Sequence, residues 1–360
     1  MEHLETYRLT LRTLGPLFVG SGYKYYKHDY LFDPQRRTVS IIREEALFRW
    51  LVESGNLDAY EQFVLANKGK SPDRKPQDEN LQILLDRLHI SPQAREKLIR
   101  YTIGTGNMLD AGHSLKEISA FVRNGAGEAY VPGSSVKGAL RTAILFREIR
   151  RRGSLPSKKR GTIPEESYLN VLEQNPRQRD NAINSLLRGL SVSDSAPIPD
   201  AQLTLARKVD VRTDSVQKTP NVLRECVRSG AELSFQLTLD RSILSNRLQA
   251  SDILAAITDF FAYYRAKFNA HFPTVDASAP ARGAHLFLGG GSGFFSKTVV
   301  YPYLGYDRAL QEVGQMMQRS FRKHKHEWDA SEHGISPHTL KYGESVQELH
   351  EFGLCEVRLD

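Results

Sequence analysis

Tyr7, Leu9 and Leu11 alternate with polar neighbours in YRLTLRTLGPLFVGSG, and the alternation stops at Gly15-Pro16. A period of two predicts a half-buried strand ended by a turn. DYLFDPQRRTVSIIREEALFRWLVESG then predicts a strand, a turn at Asp33-Pro34, a second strand, and a helix from about Arg43 to near Gly55. Between the two regions, VGSGYKYYKHD predicts a Gly-opened loop rich in Tyr and Lys. Helical spacing returns at 57–66 and 78–101, on either side of the polar, Pro-containing NKGKSPDRKPQDEN, which predicts a mobile stretch. Residues 56–128 therefore read as an insertion.

Further along, AYVPGSSVKGALRTAIL runs from a short apolar strand into a helix with Val136, Leu140, Ala143 and Ile144 as its buried stripe. The helix runs out into REIRRRGSLPSKKR, seven basic residues against one acid, which predicts a flexible basic loop. LSVSDSAPI, AELSFQLTLD and GLCEVRLD read as strands, and ASDILAAITDFFAYYRAKFNAHF as a helix. TLARKVDVRTDSVQKTPNVLRECVRSG alternates weakly and carries Arg207, Lys208, Arg212, Lys218, Arg224 and Arg228, which predicts a protruding hairpin. AHLFLGGGSGFFSKTVVYPYLG predicts strand, Gly-rich turn and helix. Helices mixed with hairpins indicate an α+β fold with a mixed or antiparallel sheet. The two strand–turn–helix units suggest a degenerate duplication.

Charge changes this picture by pointing to a partner. Among 360 residues, 49 Lys and Arg oppose 42 acids, a formal charge of +7, which favours a polyanion, with nucleic acid first. Cys226 and Cys355 alone provide neither a disulfide framework nor a four-cysteine zinc site, and fit a reducing compartment. The start MEHLETYRLT lacks a leader pattern and no apolar run reaches membrane-spanning length, so the expectation is a soluble, intracellular protein.

Four stretches could carry chemistry. In the first, Ser134 or Ser135 would cap the helix and Gly133 would let a ligand approach, while Lys137 and Arg141 face a phosphate at the helix N-terminus. An ordinary capped amphipathic helix with solvated cations explains the same residues. In the second, GSGFFSKT departs from a phosphate-loop motif by having Ser296 where the second Gly belongs; Pro302 follows, and no apolar strand ending in a magnesium-binding Asp is apparent. A backbone-phosphate contact through Gly290, Gly291 and Lys297 competes here with a purely structural glycine turn. In the third, Tyr23, Tyr25 and Tyr26 interleave with Lys24 and Lys27, placing rings for base stacking beside cations for phosphate. His28 and Asp29 follow and raise an endoribonuclease alternative, by general acid–base or metal-assisted cleavage. In the fourth, HKHEWDASEHGISPH supplies His324, His326, His333 and His338, with Cys355 later. Their spacing matches no closed zinc pattern, and a basic, solvated segment accounts for His324-Lys325-His326.

YVPGSSVKGALR resembles the signature of RAMP proteins, the RRM-like subunits of CRISPR effector complexes, and HLFLGGGSGFFSKT resembles their C-terminal glycine-rich loop. With YRLTLRTLGPLFVGSG and HTLKYGESVQELHEFGLCEVRLD the likeness spans nearly the whole chain. It is greatest to the RAMP subunits of type III-A (Csm) complexes that cap the filament at the 3′ end of the guide RNA. The resemblance implies an RRM- or ferredoxin-like core of residues 1–55 and 129–240, with insertion 56–128 and a thumb hairpin at 205–230. Residues 241–360 would form a C-terminal region with the Gly-rich loop and a terminal strand, and a second degenerate ferredoxin-like half. Gly133, Ser134, Ser135, Lys137 and Arg141 would cradle guide phosphates, joined by thumb residues Arg207, Lys208 and Arg212 and by Gly290, Gly291 and Lys297. The implied partners are crRNA, target RNA, a neighbouring backbone RAMP subunit, a small helical subunit and host nucleases that trim the guide. The implied role is noncatalytic, cytoplasmic and free of cofactor or metal, in guide maturation and antiviral defence; the alternative is a metal-dependent endoribonuclease using Asp29 or His28.

Overall fold

Leu9 and Leu11 point inward from β1 (Leu4–Thr13) while Arg8 and Arg12 on either side of them face solvent, as the alternation of the strand requires. The computed structural model describes residues 3–68, 80–105, 117–157, 162–220, 223–276, 280–345 and 348–360. After β1 come β2 (Gly20–Tyr26), β3 (Tyr30–Asp33), β4 (Thr38–Ile42) and helices α1 (Glu44–Glu53), α2 (Leu57–Lys68), α3 (Leu81–Arg87) and α4 (Pro92–Leu98). Strands β5 (Ile99–Gly104) and β6 (Glu117–Phe121) lead to α5 (Gly133–Arg152) and α6 (Glu165–Leu169). Then follow β7 (Leu190–Val192), β8 (Leu203–Arg212), β9 (Gln217–Lys218), β10 (Leu223–Val227), β11 (Glu232–Asp240), α7 (Arg241–Leu244) and α8 (Ala250–Lys267). The chain closes through β12 (His285–Phe287), α9 (Val300–Leu304), α10 (Tyr306–Ser320), β13 (Thr339–Ser345), β14 (Glu348–Glu351) and β15 (Leu354–Leu359).

Among the described residues the strands form two sheets. The first has five strands in the order β12-β15-β1-β11-β7, antiparallel throughout, with Leu9 opposite Phe235 and Leu11 opposite Val357. Helices α5 and α8 pack against each other, and Phe146 meets Phe260 at 5.3 Å between ring centroids. With β12 as an added edge, β1, α5, β7, β11, α8 and β15 have the connectivity of a split β-α-β unit. The second sheet has ten strands and follows the path β2-β6-β10-β8-β5-β4-β3, with β13 and β9 also pairing β8, and β14 pairing β13. Helices α1 to α4 cover a satellite core of Leu47, Leu51, Phe63, Leu81, Leu84 and Leu85.

Several expectations need correction. VGSGYKYY is not a loop, because β2 pairs with β6 and Tyr25 is buried with its hydroxyl 3.2 Å from that of Tyr101. The glycines that suggest a loop accompany a register shift between Gly20 and Lys24 and a φ of +85° at Gly22. The 78–101 helical patch splits at His89, where φ is +53°; Asn80 caps α3, Ser91 caps α4, and residues from Ile99 onward become strand. The 205–230 hairpin does not stand clear of the body: Leu205, Ala206, Val209, Val211 and Cys226 are buried within the second sheet, leaving the tip near residues 214–219 exposed. Residues 241–360 do not form a sheet of their own, because β12 and β15 complete the first sheet and β13 and β14 extend the second. The expected mobile segment 67–80 lies mostly outside the described residues, as do Lys158, Lys159 and Arg160 of the basic loop.

Candidate nucleic-acid interface

Helix α5 starts without a serine cap. Pro132 is its N-cap residue, and the Gly133 N–H donates to Asp194 Oδ1 at 2.8 Å. A side chain on Gly133 would begin 2.2 Å from the Val192 carbonyl oxygen and 2.4 Å from that of Ser193. The glycine therefore serves close packing against the loop after β7, and the Asp194 carboxylate meets the positive end of the helix dipole. This corrects the cradle expectation: Ser134 and Ser135 do not cap, and an acid stands where a phosphate was expected. Arg141 is ion-paired with Glu165. Lys137 is half-buried, has no acidic partner among the described residues, and burial lowers its pKa. Val136, Leu140, Ala143 and Ile144 are buried as the stripe predicts.

The Gly-rich loop after β12 is a built feature. Gly289, Gly291 and Gly293 have φ values of +76°, +92° and +89°, and a side chain on Gly289 would begin 2.1 Å from the Phe18 carbonyl oxygen. The Gly290 N–H donates to that oxygen at 2.7 Å. Ser296 Oγ donates to the Ser292 carbonyl at 3.0 Å, so the serine that breaks the phosphate-loop pattern closes a structural turn. Lys297 folds back to donate to the Gly289 carbonyl, and burial lowers its pKa. Ser292, only 6% exposed, has an Oγ with no hydrogen-bond partner among the described residues.

Arg224 of β10 completes this corner. Its guanidinium lies between the rings of Phe18 and Phe352, at 5.3 and 5.4 Å from their centroids. Its Nη1 is buried with no hydrogen-bond partner among the described residues and lies 3.0 Å from where a Gly291 side chain would begin. Burial lowers its pKa, with Cys226 and Asp210 acting in the opposite sense. A desolvated guanidinium without a carboxylate is costly alone, and an anion would relieve it. In the sequence Arg224 is only one of the hairpin cations, and nothing in the spacing ties residues 18, 224, 291 and 352 together.

The β2 residues divide. Tyr23 and Tyr26 are 54% and 45% exposed, Tyr25 is buried, and Lys24 pairs with Glu117 at 2.6 Å. Lys27 lies in the turn after β2. In that turn Asp29 Oδ2 accepts the Tyr26 N–H at 2.8 Å, and His28 stacks on Tyr26 with 5.8 Å between ring centroids. Three of the hairpin cations are already matched: Arg207 with Glu344 at 2.5 Å, Lys208 with Asp210 at 3.0 Å and Arg212 with Asp214 at 2.9 Å.

The histidine segment is not simply solvated. His324 is exposed, but His326 and His338 are buried, with their Nδ1 atoms 2.9 and 2.6 Å from the two oxygens of Asp329. Ser336 Oγ donates to the same carboxylate at 2.5 Å. Burial opposes ionisation of Asp329, yet these hydrogen bonds hold its pKa down to about 2. His326, Asp329 and His338 are the group of three potential cation ligands that converges among the described residues, with donor atoms within 4.8 Å of one another. Both imidazoles address one carboxylate, which makes the trio a hydrogen-bond network that ties the segment after α10 to the strand entrance at β13. No helix among the described residues is long and apolar enough to cross a membrane.

Comparisons with known proteins follow the same lines. The chain is 27% identical over 384 residues to the CRISPR system Cms protein Csm5 of Mycobacterium tuberculosis (strain CDC 1551 / Oshkosh), covering 99% of this chain and 98% of that protein. It is 24% identical over 348 residues to the protein of the same name from Enterococcus italicus, covering 88% and 86%. Its fold matches a chain in the cryo-EM structure of a Csm-crRNA-target RNA ternary complex of a type III-A CRISPR-Cas system, with TM-score 0.68 and 18% identity over 98% of this chain and 100% of that one. The RAMP superfamily model matches residues 10–266, a span that runs from β1 through nearly all of α8, and the chain belongs to that superfamily.

Proposed function

We propose that this protein is a noncatalytic, RNA-binding subunit of a type III-A CRISPR interference complex. It would sit at the filament end that holds the crRNA 3′ terminus, support 3′-end maturation, and contribute to antiviral defence. The observation that carries the RNA contact is the corner at the Gly-rich loop, where the Arg224 guanidinium and Lys297 surround a backbone too tight for side chains, and where Arg224 Nη1 and the Ser292 hydroxyl have no hydrogen-bond partner among the described residues. Such a site takes phosphate by charge and shape and reads no base, which suits a subunit that must accept every guide sequence. The near-complete coverage of relatives named Csm5 supports the complex, with a backbone RAMP subunit and a small helical subunit as neighbours and target RNA in the assembled particle. Lys137, Ser134, Tyr23 and Tyr26 remain as outward contacts, and Asp29 and His28 hold the β2–β3 turn, Asp29 by accepting the Tyr26 N–H and His28 by stacking on Tyr26.

Ultraviolet crosslinking of the assembled complex tests this reading. Peptides around Phe18, Arg224 and Gly289–Lys297 should carry crRNA adducts. Adducts confined to other subunits would overturn it.

A further inference from the structure

The segment from Arg319 to Trp328 lies beyond the residues that the superfamily model matches and carries Arg319, Arg322, Lys323 and Lys325 against one acid, Glu327. All four cations are exposed, and among the described residues none is paired with a carboxylate. The hairpin cations Arg207, Lys208 and Arg212, by contrast, each have an acid beside them. Four unneutralised charges in seven residues repel one another, and a polyanion would relieve that repulsion.

Aromatic rings are set among these cations. Phe321 is 51% exposed and Trp328 is 52% exposed, and the His324 ring lies 5.7 Å from Phe321 and stacks on His326 at 5.9 Å. Apolar rings kept in water beside cations are the parts of a surface that stacks unpaired bases while holding their phosphates. An acidic peptide would need the charges but not the rings.

The ridge is held in place. Lys325 adopts a left-handed φ of +55°, which turns the chain back onto α10, where the His326 N–H donates to Gln318 Oε1 at 2.8 Å. Buried His326 then locks onto Asp329 and His338. The hairpin tip lies alongside, with Thr213 Oγ1 2.7 Å from His333 Nδ1. Burial, then the charges of His326, His338, Lys218 and Lys341, lower the pKa of His324; Lys341 is already paired with Asp210 at 2.9 Å, which leaves Lys218 of the hairpin tip as the further cation near the ridge. Between α10 and this turn, Gln315, Gln318, Arg319, His326 and Glu327 line a cleft of about 390 Å³, with amide and guanidinium groups able to meet a base edge.

We infer that residues 319–328, with Lys218 at the adjoining hairpin tip, form a second binding surface for single-stranded RNA, distinct from the Gly-rich loop. The inference rests on the RNA-binding reading of the protein but not on the site proposed for it. Bases would stack on Phe321 and Trp328 while Arg322, Lys323 and Lys325 hold phosphates.

The test uses the full-length protein and a fluorescein-labelled 12-nucleotide single-stranded RNA, with anisotropy read across a salt series. Arg322→Gln/Lys323→Gln/Lys325→Gln should weaken binding at least roughly 10-fold and reduce the magnitude of the slope of log affinity against log salt by about 2, since each lost phosphate contact removes about 0.7. Trp328→Ala should weaken binding roughly 10-fold. In a Trp50→Phe background, RNA should quench the Trp328 fluorescence, and high salt should restore it. Arg224→Gln/Lys297→Gln serves as the comparison. If that variant loses RNA while the ridge triple, melting like wild type, keeps wild-type affinity and slope, the ridge inference falls and the Gly-rich-loop reading stands. Failure of the wild-type protein to bind would overturn both. A ridge variant that binds RNA normally but no longer assembles with its partner subunits would also overturn the inference, in favour of a protein interface.

Discussion

Arg224 and Gly291 fit one another: the guanidinium Nη1 lies 3.0 Å from the position a side-chain carbon on Gly291 would take, and Gly291 holds φ at +92°. The glycine leaves room for a half-buried cation whose Nη1 has no partner among the described residues. Gly291→Ala should therefore cost about 1–2 kcal/mol of stability through its strained backbone. It should also weaken RNA binding by displacing Arg224. Thermal melts and a binding isotherm on one preparation separate the two effects. A variant that melts earlier but binds RNA normally would mean that Arg224 has a packing role only.

A buried pair joins the second sheet to the loop after β6. Arg123 meets Glu225 at 2.7 Å, with side-chain exposures of 9% and 0%, lies 3.8 Å over the Tyr101 ring, and reaches Asp200 at 3.0 Å. Arg123→Ala leaves the Glu225 carboxylate buried without its cation and should cost about 3–5 kcal/mol in urea unfolding. Arg123→Met combined with Glu225→Leu should cost less than the single change, because no charge is left stranded.

The start of α5 separates two cations that sequence alone treats alike. Arg141 is exposed and already paired with Glu165, so Arg141→Ala should change stability by no more than about 1 kcal/mol and leave guide retention intact. Lys137 has no such partner among the described residues, and Lys137→Glu should weaken guide retention. Quantifying copurified guide RNA from complexes built with each variant checks the contrast.

His285 gives a pH dependence. It is buried at the start of β12 with its ring 4.7 Å from that of Phe261, and burial lowers its pKa below the usual histidine value. The unfolded chain then binds a proton more readily than the folded one, so stability falls as pH drops through about 6.5. His285→Gln should flatten the decline in urea midpoint between about pH 7 and pH 5. An unchanged decline would assign it to other groups.

Much of the framework is legible in the sequence. β1, α1, α8, β11 and β15 lie where alternation and helical spacing put them, because their apolar positions face the cores at the period of the element. β2 is hidden by its glycines, which permit the register shift that lets Tyr25 reach Tyr101. The start of α5 misleads for a different reason: Asp194, 61 residues away, satisfies the Gly133 amide, so the nearby serines are not needed as caps. The burial of His326 depends on Asp329 and His338 converging, which a basic run does not announce. Arg224 gains meaning only when Phe18, Gly291 and Phe352, from three other parts of the chain, close around it. Local pattern specifies elements; the candidate site is made by tertiary contacts between them.

The most direct measurement is the length of the crRNA that copurifies with the assembled complex carrying Arg224→Gln/Lys297→Gln. The account predicts normal incorporation of the variant subunit together with guides that are depleted or ragged at the 3′ end. Wild-type guide lengths and amounts in a complex of normal subunit composition would contradict it.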